Sequence, residues 1–389
     1  MFPRRLELPS STFFLFGPRG TGKTTWLRSV LPPASSHWVD LVLDSELVRL
    51  TRDPDRFTAE VDALKRGSWI VIDEVQRLPA LLDRVQDLIA RHGPRHFRFA
   101  LSGSSARKLR RGEANLLPGR AINRRFFPLI SAELGDQFQV DRALRFGTLP
   151  AVCDAGASDR DRVDLLDAYV QNYLTQEIRA EAIVKDLAPF TRFLEIAALA
   201  NGQVTNTSSL SRDAEVARPT VQGYFEVLVD TLLGFWLPAW KPGARVKEVG
   251  HPKFYFFDTG VIRAVTGRAR EPLSDLERGP LLETFLLHEL RAWISISGCG
   301  GDLNYWRTPS GSEVDFVWTR ARRCIGIEVK AAVRWRREDG AALKQLVSEG
   351  VVRRAIGVYQ GTRAFRDGDV EVLPVVRFLE RLWAGKILD

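Results

Sequence analysis

A glycine-containing segment near the start of the chain constrains the fold more than any other feature. Residues 17–25 read GPRGTGKTT; they follow the apolar run 13–16 and precede a helix-compatible stretch at 26–30. Strand, glycine-rich turn and helix start, in that order, form the context of a phosphate-binding P-loop. The sequence therefore predicts a nucleotide-phosphate site between a strand and a helix.

Each part of this P-loop has an expected role. The glycines let successive backbone N–H groups point at phosphate oxygens, and the helix N-terminus adds its positive end. Lys23 is expected to reach the β- and γ-phosphates, and the Thr24 hydroxyl is expected to coordinate Mg²⁺. The predicted ATP-binding residues are Gly17, Pro18, Arg19, Gly20, Thr21, Gly22, Lys23, Thr24 and Thr25.

An acidic motif supports the same site. Residues 69–74 read WIVIDE, a short apolar strand that ends in two carboxylates, as in a Walker B motif. Asp73 is expected to hold Mg²⁺, and Glu74 is expected to orient or deprotonate the attacking water. A solvated acidic turn is the alternative, but the spacing from the P-loop leaves room for one strand and two helices, which favours the nucleotide site. Because Glu74 stands beside the metal-binding Asp73, a hydrolase is favoured over a kinase.

Residues 1–135 alternate strand and helix patterns. The helical pattern of Pro79–Arg91 places its apolar residues along one stripe. This alternation predicts a doubly wound α/β P-loop ATPase domain with a parallel sheet. The candidate strands are Thr12–Phe16, Trp38–Leu43, Trp69–Asp73, Phe97–Ser102 and Arg124–Pro128.

Residues 136–272 are predicted to form a helical and winged-helix domain. After a helical pattern over 143–201, two short helices joined by a tight turn match a helix-turn-helix, in which Arg218, Thr220 and Gln222 would face the DNA major groove. Winged helices also serve as protein-contact modules, so DNA and protein partners both stay open at this point. The β-like segments that would form the wing are Phe235–Lys241 and Lys253–Asp258.

A second group of candidate catalytic residues lies in residues 273–389. Glu313 and Asp315 alternate along one predicted strand and share a face, and Glu328 and Lys330 do the same along the next. If the two strands pair as a hairpin, Asp315, Glu328 and Lys330 converge. A hairpin that carries solvated charges on its outer face is the alternative.

A helix upstream adds a third carboxylate. In the predicted helix Leu281–Ile294, Glu283 lies on the apolar stripe, where a carboxylate requires a partner or a metal. Helix Glu, strand Asp and Glu-x-Lys, in this order, resemble the active site of PD-(D/E)xK, or restriction-endonuclease-like, nucleases. That resemblance implies that Glu283, Asp315 and Glu328 bind Mg²⁺ and that Lys330 activates water or stabilises charge on the phosphate. Such domains also act as binding modules that do not cut DNA.

Composition narrows the class of protein. The chain has 389 residues, too many for one ordinary core, so two or three domains are expected. No apolar run reaches the ~20 residues of a membrane span, and no signal peptide precedes the P-loop. Cys153, Cys299 and Cys324 are scattered, which argues against a disulfide framework or a zinc site. These features predict a cytoplasmic protein.

The charge distribution favours a polyanionic partner. The formal net charge is +8, and the basic residues are clustered. A solvated basic face could explain any one cluster, but contact with nucleic acid by at least one is favoured. The clusters comprise Arg107, Lys108, Arg110, Arg111, Arg120, Arg124 and Arg125, then Arg320, Arg322 and Arg323, and then Arg334, Arg336 and Arg337.

Nearly the whole chain resembles a bacterial and archaeal family of AAA+-type ATPases with a winged-helix middle and a restriction-endonuclease-like C-terminal domain of unknown function. The resemblance implies that Ser102 or Ser104 senses the γ-phosphate and that Arg120 is an arginine finger offered to a neighbouring subunit, with Arg107 and Arg110 as weaker candidates. An arginine finger in trans implies a homo-oligomer, with a ring as one form. The motifs that carry the resemblance are GPRGTGKTT, WIVIDEVQRLP, FALSGSSARKL, LPGRAINRRFFPL, FYFFDTGV, LLETFLLHEL, GSEVDFVW and GIEVK.

Together these features predict a Mg²⁺- and ATP-dependent oligomeric ATPase that binds or remodels DNA, with branch migration of branched DNA as the specific form. Two alternatives stay open. One is a regulatory switch whose ATP state controls binding to a protein partner, as in a toxin–antitoxin or signalling system. The other is a DNA nuclease that ATP powers or gates.

Overall fold

The computed structural model describes residues 2–104, 117–154, 156–174, 187–241 and 250–388. The chain divides into two compact units, Met1–Pro128 with Asp230–Leu233, and Leu129–Val229 with Gly234–Asp389. Arg107 and Arg110, with most of the first basic cluster, lie outside the described residues. Within the described ranges no helix is both long enough and apolar enough to cross a membrane.

The first unit contains a parallel sheet in the order β2-β3-β4-β1-β5. Its strands are β1 Phe13–Phe16, β2 His37–Asp40, β3 Trp69–Asp73, β4 Arg98–Gly103 and β5 Ile122–Arg125. Its helices are α1 Lys23–Val30, α2 Asp44–Arg52, α3 Asp55–Asp62 and α4 Leu81–His92, with a 3₁₀ turn at Val75–Arg77. The P-loop strand β1 has β4 on one side and β5 on the other.

Both faces of this sheet are covered, as the apolar strands require. Successive residues of a strand point to opposite faces, so Phe14 packs into one core and Phe13 into the other. The core on the Phe14 side includes Leu50 of α2 and Val85 of α4, whereas the opposite core includes Leu27 of α1. This double burial explains why β1 and β3 read as nearly continuous hydrophobic runs.

The second unit begins with helices and a two-stranded hairpin. Its hairpin pairs β6 with β7 antiparallel, and Phe225 packs between Trp236 and Phe254 at ring-centroid distances of 4.8 and 4.7 Å. The elements are α5 Ser131–Leu134, α6 Val140–Phe146, α7 Asp159–Ala168 continued by a π-helix at Tyr169–Leu174, α8 Leu187–Leu199, α9 Thr207–Asp213, α10 Arg218–Asp230, β6 Gly234–Leu237, β7 Lys253–Phe256 and α11 Thr259–Val265.

The same unit ends in a six-stranded mixed sheet flanked by helices. The strand order is β12-β13-β11-β10-β9-β8, with β9 and β10 antiparallel and β10 and β11 parallel. The elements are α12 Asp275–Ser297, β8 Asp302–Arg307, β9 Glu313–Arg320, β10 Arg323–Lys330, α13 Ala341–Ser348, β11 Arg354–Tyr359, β12 Phe365–Asp367, β13 Val370–Pro374 and α14 Val375–Trp383.

The predicted fold class is confirmed: a parallel P-loop sheet, a helical segment with a winged-helix pattern, and a C-terminal α/β sheet. The predicted pairing of the two acidic strands is confirmed too, since Ile327 pairs with Phe316. Two predicted strands differ clearly in their bounds. β2 ends at Asp40, whose carboxylate accepts a hydrogen bond from the Val42 N–H at 3.1 Å and turns the chain out of the sheet. β5 spans Ile122–Arg125 instead of Arg124–Pro128, because it pairs with β1 from Ile122 opposite Phe13 to Arg125 opposite Phe16.

Candidate functional site

The P-loop connects the end of β1 to the start of α1. Gly20 and Gly22 have φ angles of 80° and 89°, which disfavour any residue with a Cβ atom. At Gly17 a Cβ atom would lie 2.3 Å from the carbonyl oxygen of Phe126, so the loop requires glycine there for space. The glycines of the motif are thus explained by backbone conformation and close packing.

Lys23 lies at the first position of α1 and is buried. Its Nζ donates to the carbonyl oxygens of Gly17 at 2.8 Å and Pro18 at 3.2 Å. The Thr21 hydroxyl also donates to the Pro18 carbonyl, at 2.8 Å. The ammonium group is therefore held against the loop that would surround a phosphate, where the predicted role of Lys23 requires it.

The acidic strand ends beside the P-loop because β4 is the only strand between β3 and β1 in the described sheet order. Thr24 Oγ1 donates to Asp73 Oδ2 at 2.7 Å, and the Ser102 hydroxyl donates to the other oxygen, Asp73 Oδ1. Asp73 is thus fixed from both sides, by the P-loop helix and by β4.

Burial raises the pKa of Asp73, since desolvation penalises its charged form. The hydrogen bonds from Ser102 and Thr24 lower that pKa, and the nearby carboxylates of Glu74 and Asp40 raise it further. A buried carboxylate with excess negative charge around it favours a bound cation.

Glu74 follows Asp73 and has a left-handed backbone with φ 56°. Such a conformation is costly for a residue with a side chain and is concentrated at functional sites. Its N–H donates to Ser102 Oγ at 3.1 Å, and its Oε2 accepts from Ser104 Oγ at 3.1 Å and from the Gln76 amide. The two serines proposed as alternative sensors therefore contact different carboxylates, Ser102 that of Asp73 and Ser104 that of Glu74.

The oxygen atoms of Thr24 and Asp73 fit Mg²⁺, which prefers hard oxygen ligands. The arrangement places both next to the loop that would hold the phosphates, so we expect these two residues to hold the ion. When bound, Mg²⁺ would supply positive charge that neutralises the phosphates. Gln76 lies within the WIVIDEVQRLP motif but had no role assigned from the sequence. It donates to Glu74 and has one buried amide oxygen, Oε1, without a hydrogen-bond partner among the described residues.

Arg120 lies on an exposed turn between Leu117 and β5. Its N–H donates to the Leu117 carbonyl at 2.9 Å, and Gly119 has a φ of 71°, which closes the turn. The side chain is free to extend from the surface of the unit. An arginine finger would need that exposure, and its role in trans stays a prediction.

The helix-turn-helix has an exposed polar face on α10. Arg218 and Gln222 are exposed, whereas Thr220 is half-buried. Asn206 caps the preceding helix by accepting from the Ser208 and Ser209 N–H groups at 3.0 and 3.2 Å. A cleft of about 930 Å³ runs beside this face, and its lining includes Arg218, Gln222, Glu226, Trp236 and His251.

The nuclease-like residues do come together in the second unit. Asp315 Oδ2 accepts from the Val329 N–H at 2.7 Å, which places it against β10, and Glu328 Oε1 pairs with Lys330 Nζ at 2.6 Å. Desolvation raises the pKa of Asp315 well above its usual range, and the neighbouring charges of Glu328 and Glu283 add to the effect. Desolvation likewise raises the pKa of Glu328 to about 7, against the lowering influence of Lys330.

One residue in this cluster carried no sequence signal. Lys253, the first residue of β7, has its Nζ 3.1 Å from Glu283 Oε1 and 2.5 Å from Glu313 Oε1. Burial alone would lower its pKa, but the charges of Glu283, Asp315 and Glu313 raise it, so the side chain stays an ammonium ion. The contact of Lys253 with Glu283 and Glu313 depends on the folding of the β6–β7 hairpin, so no local sequence pattern could predict it.

The carboxylates of this cluster do not fit a divalent metal as the motif led us to expect. Within the described residues no group of three or more His, Cys, Asp or Glu side chains is arranged to hold a metal ion. In the structure Lys253 contacts Glu283 and Lys330 contacts Glu328, which argues against a metal ion, and the metal role of Glu283, Asp315 and Glu328 stays a prediction. The role of Lys330 in activating water likewise stays a prediction.

Three family models match consecutive parts of the chain. Residues 10–135 match an AAA domain, residues 137–271 match a domain of unknown function, DUF8612, and residues 278–378 match a second domain of unknown function, DUF4143. The first match covers the P-loop, the acidic strand β3 and strand β4.

Among curated proteins, the chain is similar to the uncharacterized protein Rv2008c of Mycobacterium tuberculosis and to the uncharacterized protein Mb2031c of Mycobacterium bovis. Each is 29% identical over 331 residues, covering 84% of this chain and 72% of the relative.

Two solved structures are similar in part. A structure of the Aeropyrum pernix ORC1 protein in complex with DNA has 15% identity and a TM-score of 0.28, covering 67% of this chain and 87% of that one. The Thermotoga maritima RuvB Holliday junction branch migration motor has 18% identity and a TM-score of 0.26, covering 59% and 82%. These scores are too low to support an inference about function.

The P-loop geometry, the acidic strand and the matching family model agree on one description of the first unit. Residues 10–135 match an AAA domain and have the geometry of a P-loop nucleotide site, and matches to two domains of unknown function follow in the same chain.

Proposed function

We propose that this protein is a Mg²⁺-dependent ATPase that couples ATP hydrolysis to DNA binding or remodelling and acts as a homo-oligomer. The observation that best supports ATP hydrolysis is a continuous set of hydrogen bonds. It runs from Thr24 through Asp73 and Ser102 to the backbone of Glu74. It links the residue that would contact the metal to the residue that would orient water.

Within that path each side chain has a distinct task. Lys23 and the loop N–H groups bind the phosphates, and Thr24 and Asp73 hold the metal ion. Glu74, positioned by Ser104 and Gln76, accepts the proton of the attacking water or orients it. Ser102 fixes Asp73 and the turn that presents Glu74.

DNA coupling is supported by exposed basic clusters in the second unit. The side chains of Arg320, Arg322 and Arg323 are exposed at the turn between β9 and β10. A second exposed set comprises Arg334, Arg336 and Arg337. With Arg218 on the helix-turn-helix, they give a polyanion several cationic contacts, which is the electrostatic basis of DNA binding.

The decisive experiment is steady-state ATP hydrolysis without DNA and with linear duplex, single-stranded DNA or a four-way junction, at two salt concentrations. DNA-stimulated turnover that falls with salt supports the proposal, and strongest stimulation by the junction supports remodelling of branched DNA. Equal turnover under all four conditions would contradict DNA coupling and favour a switch that binds a protein partner.

A variant and its matched control test whether the first of these clusters contacts DNA. Replacing Arg320, Arg322 and Arg323 together by Ala should reduce DNA stimulation and flatten its salt dependence while leaving DNA-free turnover unchanged. Arg377→Ala is the control, because Arg377 is an exposed arginine that pairs with Glu380 on α14, outside these clusters. Equal loss in both variants would argue against a specific role for the cluster.

The arginine finger has a test of its own. We expect Arg120→Ala and Glu74→Gln subunits each to be inactive, but their mixture to regain part of the activity, since a mixed interface can pair an intact Glu74 with an intact Arg120. Arg95→Ala, at another exposed arginine of the first unit, should leave turnover unchanged. Failure of the mixture to regain activity would contradict action in trans.

A further inference from the structure

A lysine lies at the centre of the acidic cluster of the C-terminal fold. Lys253 has only 3% of its side chain exposed, and its Nζ contacts Glu283 Oε1 at 3.1 Å and Glu313 Oε1 at 2.5 Å. The three residues come from β7, α12 and β9, elements that are far apart in sequence. A buried ammonium between two carboxylates occupies the position where a cation would neutralise them.

The surrounding side chains are arranged for this ammonium. Tyr255, two residues further along β7 and therefore on the same face, donates its hydroxyl to the same Glu283 oxygen. Arg307 Nη1 lies 3.3 Å from the second oxygen of Glu313. Lys253 Nζ also lies 5.2 Å from the ring centroid of Tyr305, within cation–π distance.

The remaining carboxylates are also engaged by the protein. Asp315 accepts from the Val329 backbone at 2.7 Å, and Glu328 pairs with Lys330 at 2.6 Å. A divalent metal requires several oxygens directed at one point and free to bind it. Glu328 Oε2 has no hydrogen-bond partner among the described residues, but two lysines already supply positive charge beside these carboxylates, so a metal ion would meet electrostatic repulsion.

We infer that Lys253 is the resident cation of this site: its ammonium group replaces a divalent metal, and the C-terminal fold is a metal-free docking module for the β6–β7 hairpin. Lys253 anchors β7 of the hairpin to α12 and β9 through one buried ion-pair network. This role is independent of ATP hydrolysis and of DNA coupling.

The inference predicts that removal of the lysine creates a metal site. A cavity of about 410 Å³ opens beside Lys253, Glu283 and Glu313, so an ion can reach the carboxylates. With Lys253→Met, the carboxylates of Glu283, Glu313 and Asp315 lose their main positive charge while the length of the side chain is preserved. Once the ammonium no longer lies between them, these carboxylates can move together around an ion, so we expect the full-length variant to bind one additional Mn²⁺ per chain.

The experiment is an Mn²⁺ titration followed by electron paramagnetic resonance of the free ion, with nucleotide absent. All proteins carry Asp73→Asn, which removes the metal contribution of the P-loop. The expected result is no Mn²⁺ bound with Lys253 intact, one bound with Lys253→Met, and loss of that ion when Asp315→Asn is added. Lys344→Met is the matched control, because it breaks a lysine–carboxylate pair with Asp367 in the same unit and should bind no metal.

Two results would overturn the inference. One is Mn²⁺ binding with Lys253 intact that Asp315→Asn removes, or Mg²⁺-dependent DNA cleavage with the same dependence. The other is a folded Lys253→Met protein that binds no Mn²⁺. If that variant fails to fold, the charge-balanced double variant Lys253→Met/Glu313→Gln replaces it in the titration. The titration of the protein with Lys253 intact shows independently whether the native site binds metal.

Discussion

The hydroxyl of Ser102 donates a hydrogen bond to Asp73 Oδ1 across two neighbouring strands, β4 and β3. The same hydroxyl oxygen accepts the N–H of Glu74 at 3.1 Å. One serine therefore fixes the carboxylate that would bind the metal and the backbone of the residue that would act on water, so the two acids are coupled through β4.

Replacing Lys23 by Ala should abolish ATP binding. The ammonium that the P-loop holds against Gly17 and Pro18 is the charge that would bind the β- and γ-phosphates, and no other described residue has this position. Binding of a fluorescent ATP analogue measures the loss. Lys65→Ala, at an exposed lysine before β3, should bind as the unmodified protein does.

Glu74→Gln should preserve ATP binding and reduce turnover by about 100-fold or more, because an amide cannot accept the proton of the attacking water. The substitution keeps the size of the side chain and its contact with Ser104. Single-turnover hydrolysis and nucleotide titration separate the two effects. Normal hydrolysis by this variant would show that the acidic motif does not have the proposed role.

Ser102→Ala and Ser104→Ala should have different effects on the reaction. Loss of the Ser102 hydroxyl removes the fixed orientation of Asp73, so the Mg²⁺ concentration needed for half-maximal turnover should rise. Loss of the Ser104 hydroxyl frees Glu74, so maximal turnover should fall with little change in the Mg²⁺ requirement. Mg²⁺ titrations of ATPase activity measure both, and identical profiles for the two variants would contradict separate roles.

Glu289 should make the stability of the second unit depend on pH. Its carboxylate is fully buried and accepts from the Ser131 N–H at 2.6 Å and from Trp383 Nε1 at 2.6 Å. Burial raises the pKa of Glu289 to about 7 from an ordinary value of 4.5. Because the folded state retains the proton longer than the unfolded state, stability should fall as pH rises from about 4.5 to about 7, by on the order of 3 kcal/mol, and then level off.

Urea unfolding between pH 4.5 and 8 measures this effect. Glu289→Gln should lose that part of the pH dependence, since its amide does not titrate, whereas Glu380→Gln at an exposed site of α14 should retain it. Burial also raises the pKa of Asp258, to about 6. Asp258 therefore makes the stability of all three proteins fall as pH rises, in the same direction as Glu289. An unchanged slope in Glu289→Gln would contradict the prediction.

Local patterns predicted the elements whose residues are adjacent in the chain. The P-loop, the acidic strand β3 and the β9–β10 hairpin were recognised because each is encoded in a short run of consecutive residues. The position of Ser102 between the two acids, and the different contacts of Ser102 and Ser104, could not be predicted in this way, because they depend on the strand order β3-β4-β1.

The sequence by itself determined the nucleotide site, since the glycine conformations, Lys23 and Thr24 all lie within one loop and the helix that follows it. Tertiary structure alone decided what the C-terminal carboxylates contact. The order of Glu283, Asp315, Glu328 and Lys330 suggested a metal site, but the pairing of β6 with β7 places Lys253 against Glu283 and Glu313. A motif specifies which charges converge, whereas the charge that neutralises them comes from whichever element packs against them in the fold.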